Sequence, residues 1–518
     1  MVIAVGAARA DALTDALAKF SSGGFAGPVQ AVRALAATAD PRAATALAAL
    51  RDGRLYLDVA TGAVVVKGAD GALADAATGA ARATGDGLRR IAVTNPMRRI
   101  LDAIGGQTGL AGKSAIARAK AADAVYASHD VGARDALRAA LARETDPAAK
   151  AAMERAVASV AAFDPAATGA EKSAAVRALR KVGDEKARAL LAEARPGATP
   201  ALRGAIGAAI AAIDFRLAIW RHAQDVWYGL TLGAVLLLVA IGLAITFGVM
   251  GVINMAHGEM AMLGAYSTYV VQLALAAWAP AAAPWSLAFA LPVAFLVSGG
   301  AGVIVERGVI RRLYDRPLET LLATFGVSLI LQQAVRSAFG ADNRDVSTPP
   351  FMAGEFRLGA LAIGWGRLWI VVFALVVFAA LLGLLKLTPF GLRLRAVMQN
   401  RRMASAMGID TARVDALAFG LGSGVAGLAG VALSQIDNVS PNLGQGYIID
   451  CFMVVVFGGV GNLWGAFFAA FLLGVVNKLL EPVAGAVLGK IAVLVFVILF
   501  IQRRPRGLFA PRGRAVEA

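Results

Sequence analysis

GVINMAHGEMAMLGAY, residues 251–266, sets an amide (Asn254), an imidazole (His257) and a carboxyl (Glu259) close together in the most apolar part of the chain. From Val226 to Gly258 there is no Lys, Arg, Asp or Glu, and from Met260 to Val305 there is again none. Each run exceeds the roughly 20 apolar residues that a bilayer crossing needs. Polar and ionisable groups at membrane depth are costly to desolvate and concentrate where a protein handles polar cargo. Asn254 and His257 are three apart, and Asn254 and Gly258 four apart, so they share a face if this link is helical. On one reading the link is a broken helix whose freed groups line a translocation path or its gate. On the other, Asn254 and Glu259 only cap the second helix at the membrane boundary while His257 snorkels to the interface. The residues leave both open.

Outward from this stretch, apolar runs mark spans at 226–249, 260–279, 285–305, 319–337, 367–386, 415–435, 451–477 and 486–501. The expected fold is therefore an all-α polytopic bundle of about eight spans. Arg and Lys collect on the cytoplasmic side of membrane proteins. That rule places the loop 306–318 (Arg307, Arg311, Arg312, Arg316), the loop 387–414 and the tail (Arg503, Arg504, Arg506, Arg512, Arg514) inside. The loops 280–284 and 436–450 lack Lys and Arg and belong outside, with the mixed loop 338–366. Eight plain crossings that start outside also end outside, which contradicts the basic tail. The run 451–477 contains Gly458, Gly459, Gly461 and Asn462. Such a break predicts a re-entrant or discontinuous helix, and these four residues join Asn254, His257, Gly258 and Glu259 as path or gate candidates.

Residues 1–225 differ in kind. They hold 30 Lys and Arg against 22 Asp and Glu, and read as a soluble domain over 11–215. Three stretches, 31–50, 136–157 and 175–194, each run as a helix, an Asp-centred turn and a second helix, the logic of a loosely HEAT-like α-solenoid. Asp40-Pro41 and Asp146-Pro147 fit an N-cap followed by Pro at the first helical position. Residues 54–75 alternate in polarity and carry Thr61-Gly62 and Asp70-Gly71, which predicts a small β-hairpin. The segment GGQTGLAGKS (105–114) ends like a phosphate-binding loop but has Gln107 where that loop needs Gly, so it reads as a plain loop. Residues 1–10, ending in Ala-Arg-Ala, look like the remnant of a signal peptide, which an external N-terminal domain calls for.

Composition excludes several classes. The chain has 518 residues, 58% of them hydrophobic, and a mean hydropathy of +0.66. Its net charge of +16 fits anionic lipid better than nucleic acid. One cysteine and three scattered histidines offer neither a disulfide framework nor metal-ligand spacing. No nucleophile, base and orienting group assemble into a catalytic set. No cofactor is expected.

Three motifs carry a family resemblance. GVINMAHGEMAMLGAY resembles a signature of the permeases of branched-chain amino acid type ABC importers. TPFGLRLRAVMQNRRMASAMGIDTARV (388–414) is similar to the cytoplasmic loop by which such permeases dock on their ATPases, through Gly391, Arg393, Arg395, Ala396, Ala404, Gly408 and Ile409. FGGVGNLWGAFFAAFLLG (457–474) resembles their Gly-rich late span. The resemblance covers 226–510. Within that family the stretch 447–509 and the long N-terminal extension look most like the urea permease subunits.

The resemblance implies an inner-membrane importer subunit, not an enzyme. Its N-terminal domain would be periplasmic and its C-terminus cytoplasmic. A second permease would complete the path, two cytoplasmic ATPases would drive it and a periplasmic binding protein would deliver urea. Arg395, Arg401 and Arg402 could meet acidic grooves on the ATPases or serve only as positive-inside anchors. A branched-chain amino acid or short-chain amide permease remains the alternative, and a passive urea channel a weaker one, since a channel needs no docking loop.

Overall fold

The computed structural model describes residues 12–21, 26–38, 40–68, 71–82, 87–94, 96–98, 100–101, 109–110, 112, 114–314 and 316–509. The signal-like residues 1–10, Asp70, Arg512, Arg514 and most of the Gly-Lys-Ser segment lie outside them. The chain divides into two compact units, Met1–Ala218 and Ile219–Ala518.

The first unit begins with the helix pair α1 (Ala26–Ala37) and α2 (Pro41–Arg51). The Asp40 side chain accepts from Arg42 N at 2.8 Å and Pro41 starts α2, as the sequence predicts. The expected hairpin is instead a five-stranded antiparallel sheet: β1 (Leu55–Asp58), β2 (Val64–Lys67), β3 (Leu73–Asp75), β4 (Ala81–Arg82) and β5 (Leu88–Arg90), in the order β4-β3-β2-β1-β5. Two of its tight turns repeat one chemistry, Asp-x-Ala-Thr-Gly, at 58–62 and 75–79. Asp58 Oδ1 accepts from Ala60 N at 2.9 Å and Asp75 Oδ1 from Ala77 N at 2.9 Å. Gly62 (φ 71°) and Gly79 (φ 75°) then close the turns in the left-handed region. The all-α expectation is corrected here. These strands are only two to four residues long, so their alternation is too brief to stand out.

Next come α3 (Ala115–Ser128), α4 (Arg134–Arg143), α5 (Pro147–Phe163), α6 (Gly169–Val182) and α7 (Glu185–Ala194). Asp146 caps α5, and Thr168 with Glu171 forms a capping box on α6. The three sequence repeats do not share one core. The first pair packs with the sheet through Leu35, Leu50, Leu55 and Val64. The later pairs pack with α3 and the start of the next helix through Val125, Leu137, Met153, Leu179 and Ile206.

Two buried carboxylates in this unit contribute to its acid response. Arg118 hydrogen-bonds Glu144 at 2.6 and 2.8 Å and, with backbone N–H groups behind it, holds that carboxyl down to about 2. The Thr61 hydroxyl and Arg82 hold Asp58 below the usual carboxylate range. Both folded values lie below the unfolded values of about 4. Their contribution to stability is therefore complete above pH of about 4 and drains away as pH falls toward about 2. Amide exchange over 55–58 and 115–143, corrected for its intrinsic pH dependence, should show protection falling in that window. Glu144→Gln should flatten the fall over 115–143. Protection constant through the window would refute the assignment.

The helix α8 (Pro200–Met250) has 51 residues, and from Ile219 onward it belongs to the second unit. There follow α9 (His257–Trp278), α10 (Ser286–Gly308), α11 (Pro317–Phe339), a hairpin of β6 (Glu355–Leu358) and β7 (Leu361–Gly364), α12 (Trp365–Leu387), the short helices α13 (Pro389–Gln399) and α14 (Arg401–Ala406), then α15 (Thr411–Leu433), α16 (Leu443–Gly458), α17 (Leu463–Ala484) and α18 (Ala486–Arg503). Among the described residues eight helices are long and apolar enough to cross a membrane: α8, α9, α10, α11, α12, α15, α17 and α18. The β6–β7 hairpin was not anticipated.

Helix α15 is buried along nearly its whole length, as is the second half of α8. Small residues let these helices approach closely. A Cβ on Gly264 would lie 2.0 Å from Gly427 O, and one on Gly430 would lie 1.9 Å from Ala261 O, so α9 and α15 touch backbone to backbone. The run read as 451–477 resolves into two helices, α16 and α17, parted at Gly459 (φ 105°) and Gly461 (φ 78°). Helix α16 begins eight residues earlier than expected and contains the buried Asp450, whose charge Lys490 of α18 meets at 3.0 Å.

Candidate functional site

Helix α8 ends at Met250, and Gly251 turns the chain with φ 67°. Residues 251–254 take no regular structure, so Asn254 and His257 do not share a helical face. Asn254 is fully buried, and its Oδ1 accepts from Ala256 N at 3.0 Å in a local turn. His257 opens α9 and is also fully buried; it does not snorkel. Its Nε2 lies 3.0 Å from Val239 O in mid-α8, and because a carbonyl can only accept, Nε2 carries the proton. Glu259 does not cap α9. Its Oε1 accepts from Ser328 Oγ at 2.9 Å and Gln332 Nε2 at 2.8 Å, both on α11. Asn254 Nδ2, His257 Nδ1 and Glu259 Oε2 are buried and have no hydrogen-bond partner among the described residues. His257 thus faces α8 and Glu259 faces α11, so the motif spreads over two directions.

Helix α11 supplies what the sequence reading missed. Its buried residues are Thr320, Thr324, Ser328, Gln332 and Val335, while Leu318, Leu322, Phe325, Leu329 and Ile330 are exposed. This inverts a soluble amphipathic helix, with polar groups inward and apolar groups toward the surroundings. Thr324 Oγ1 accepts from Met255 N at 3.1 Å, so the stripe meets both the break and Glu259. Four polar residues at intervals of four in an apolar run are the signal that would have found it.

Two of the Gly-rich candidates, Gly258 and Gly458, sit at close backbone contacts. A Cβ on Gly258 would lie 2.4 Å from Gly444 O, and one on Gly458 would lie 2.5 Å from Gly465 O. Asn462 caps α17, accepting from Trp464 N and Gly465 N at 3.1 Å each. Leu508 N donates to Phe457 O at 2.8 Å, so the tail folds onto this break.

In the segment 388–414, Gly391 sits where a Cβ would lie 2.1 Å from Leu385 O, which allows the tight bend from α12 into α13. Ala404 is buried, and Gly408 turns with φ 83°. Arg393 and Arg402 are exposed. Arg395 donates to Leu385 O, and Arg401 pairs with the buried Asp415. A cavity of about 540 Å³ joins two groups that are far apart in sequence: Lys386 at the end of α12, with Arg395 and Gln399 of this segment, faces Gly461 and Asn462 of the break.

Comparison with known proteins bears on this arrangement. Residues 226–502 match the family described as branched-chain amino acid transport system / permease component. The chain belongs to that family. It is 29% identical over 297 residues to the high-affinity branched-chain amino acid transport system permease protein BraD of Pseudomonas aeruginosa, covering 56% of this chain and 96% of that protein. It is 30% identical over 294 residues to the corresponding LivH protein of Salmonella typhimurium, covering 55% and 94%. The probable branched-chain amino acid transport permease LivH of Methanocaldococcus jannaschii is 28% identical over 288 residues, covering 53% and 88%. No solved structure matches. The relatives are transport permeases, not enzymes. The family match lies within the membrane half, and residues 1–225 fall outside it.

Proposed function

We propose that this chain is one permease subunit of an ATP-driven importer in the bacterial inner membrane, and that its cargo is urea. A second permease completes the path, two ATPases drive it from the cytoplasm, and a periplasmic binding protein delivers the solute. The observation that carries a polar path is the inward stripe of α11 against Glu259. A buried carboxyl with one free oxygen, beside an amide and hydroxyls and with no cation within pairing distance among the described residues, suits a small neutral donor of N–H bonds. The likeness of 447–509 to urea permeases adds to this. The second reading, a branched-chain amino acid cargo, is favoured by the names of the relatives.

The test is uptake of labelled urea and labelled leucine into vesicles carrying this chain with its partners. ATP-dependent urea uptake without leucine uptake is expected. Leucine alone would give the second reading, and urea flux indifferent to ATP would make the protein a channel.

The orientation we infer has the N-terminal unit in the periplasm and the segment 388–414 in the cytoplasm. Counting α16 as a short crossing of about 24 Å gives nine crossings and places the basic tail inside. Two contacts support it. Arg344 and Val439 pair backbone to backbone, which groups the two external loops, and the tail folds onto the break at 459–462 beside Arg395. Asn438→Cys should react with an impermeant maleimide applied to intact spheroplasts, and Arg402→Cys should not. The reverse pattern would invert the topology. The pairs α4–α5 and α6–α7, stacked in one core, we read as HEAT-like.

A further inference from the structure

Two carboxylates are wholly buried where α10 and α15 meet the short helices: Glu306 in the last turn of α10 and Asp415 near the start of α15. Arg311 grips Glu306 with two hydrogen bonds, 3.1 and 2.9 Å, and donates to Ala412 O at 3.0 Å. Arg401, the first residue of α14, pairs with Asp415 and lies 4.9 Å from the centre of the Tyr314 ring. The Tyr314 hydroxyl donates to Asp415 Oδ2 at 3.1 Å and stands 3.5 Å from Glu306 Oε1 and 3.0 Å from Met250 Sδ, at the end of α8. The five groups therefore form a neutral hub that touches α8, α10, α15 and α14. A buried ion pair contributes little net stability, because desolvation offsets the attraction, but removing one partner is severe; its best-attested use is to fix one arrangement.

We propose that this hub is the joint tying the ATPase-facing segment to the spans, so that Arg401, Asp415, Tyr314, Arg311 and Glu306 are positioning residues for energy coupling. The proposal rests on the reading of 388–414 as that segment. A motion of α14 imposed from outside the membrane reaches α15 through Arg401–Asp415 and reaches α10 and α8 through Tyr314. Without the joint, ATP is spent and the spans do not follow.

The test uses the full chain with its partner permease, ATPases and binding protein in vesicles. It follows phosphate release beside uptake of labelled urea, or of labelled leucine if the wild type moves that instead. Tyr314→Phe and Arg401→Lys keep every charge, so assembly is expected. Solute moved per ATP should fall about tenfold while ATP hydrolysis stays within about twofold of wild type. Exchanging the pair, Arg401→Asp with Asp415→Arg, should recover part of what either single change loses. A ratio unchanged in both mild variants, or a loss that only tracks the amount of assembled complex, overturns the joint. Arg393→Glu with Arg402→Glu, exposed and outside the hub, examines the segment itself. If the ATPases still co-purify with that variant, the docking reading fails. If they are lost while the Tyr314→Phe ratio is unchanged, the joint alone fails.

Discussion

Valine at Gly264 will break the seam between α9 and α15. The first carbon of any side chain there would stand 2.0 Å from Gly427 O and 2.6 Å from Gly427 Cα, which is backbone and has no rotamer to give. Overpacking a tight core costs about 1–3 kcal/mol when side chains can yield. Here the helices themselves must part, so about 3 kcal/mol or more is expected. Separation has a wider effect than local strain, because α15 is the helix around which the bundle packs and α9 carries Glu259 against α11. The detergent-purified chain should lose most of its monodisperse peak or unfold at a much lower temperature. Gly300→Val, on the exposed face of α10 with nothing within 4 Å of its Cβ position, is the matched control and should change little. Equal melting of the two variants would mean that the seam is not a close backbone contact.

The bundle was legible because desolvation is a blunt force. A charge-free run long enough to cross the bilayer has few places to go but lipid, so most spans stood near their final bounds. The break at 459–462 was legible for a related reason: two glycines with positive φ cannot sit inside a regular helix, and Asn462 is a ready cap for the next one. Helix α16 was misjudged because its first turns hold Gln445, Tyr447 and Asp450. A search for apolarity starts after Asp450, whereas the structure keeps that charge inside by setting Lys490 against it. The β-sheet of the first unit escaped because its strands are shorter than the alternation a reader can trust. Its signal lay in the repeated Asp-x-Ala-Thr-Gly turns rather than in the strands.

The candidate site was half legible. Asn254, His257 and Glu259 stood out because each is expensive where it sits, and burial of all three agrees with that cost. Their partners did not stand out. Ser328 and Gln332 are unremarked singly in a sequence, and only their spacing with Thr320 and Thr324 shows that one face of α11 is polar. Arg401 read as a surface cation, yet it is drawn inward by Asp415, a carboxyl fourteen residues further along the chain. Pairing of this kind depends on where helices end, which charge counting does not reach.

Glu259→Ala gives the other large effect expected of this protein, a fall in uptake of about ten- to a hundredfold, since leaving a buried hydrogen-bond donor without its partner costs about 1–3 kcal/mol. Alanine removes the acceptor of Ser328 and Gln332 and the free oxygen Oε2 at once. A purely structural carboxyl would give a similar loss by unsettling α9 and α11, so the single variant does not separate the roles. The asymmetry of buried polar groups does. Orphaning a donor is costly, whereas replacing every partner by apolar groups of similar shape can be nearly neutral. The triple change Glu259→Leu, Ser328→Ala and Gln332→Leu should therefore recover the melting temperature that Glu259→Ala loses, because no donor is left unpaired. Uptake should stay low in the triple variant, because the path has lost its acceptor. Recovery of both stability and uptake would make Glu259 a strut between two helices and move the search for the solute's contacts to Asn254 and His257.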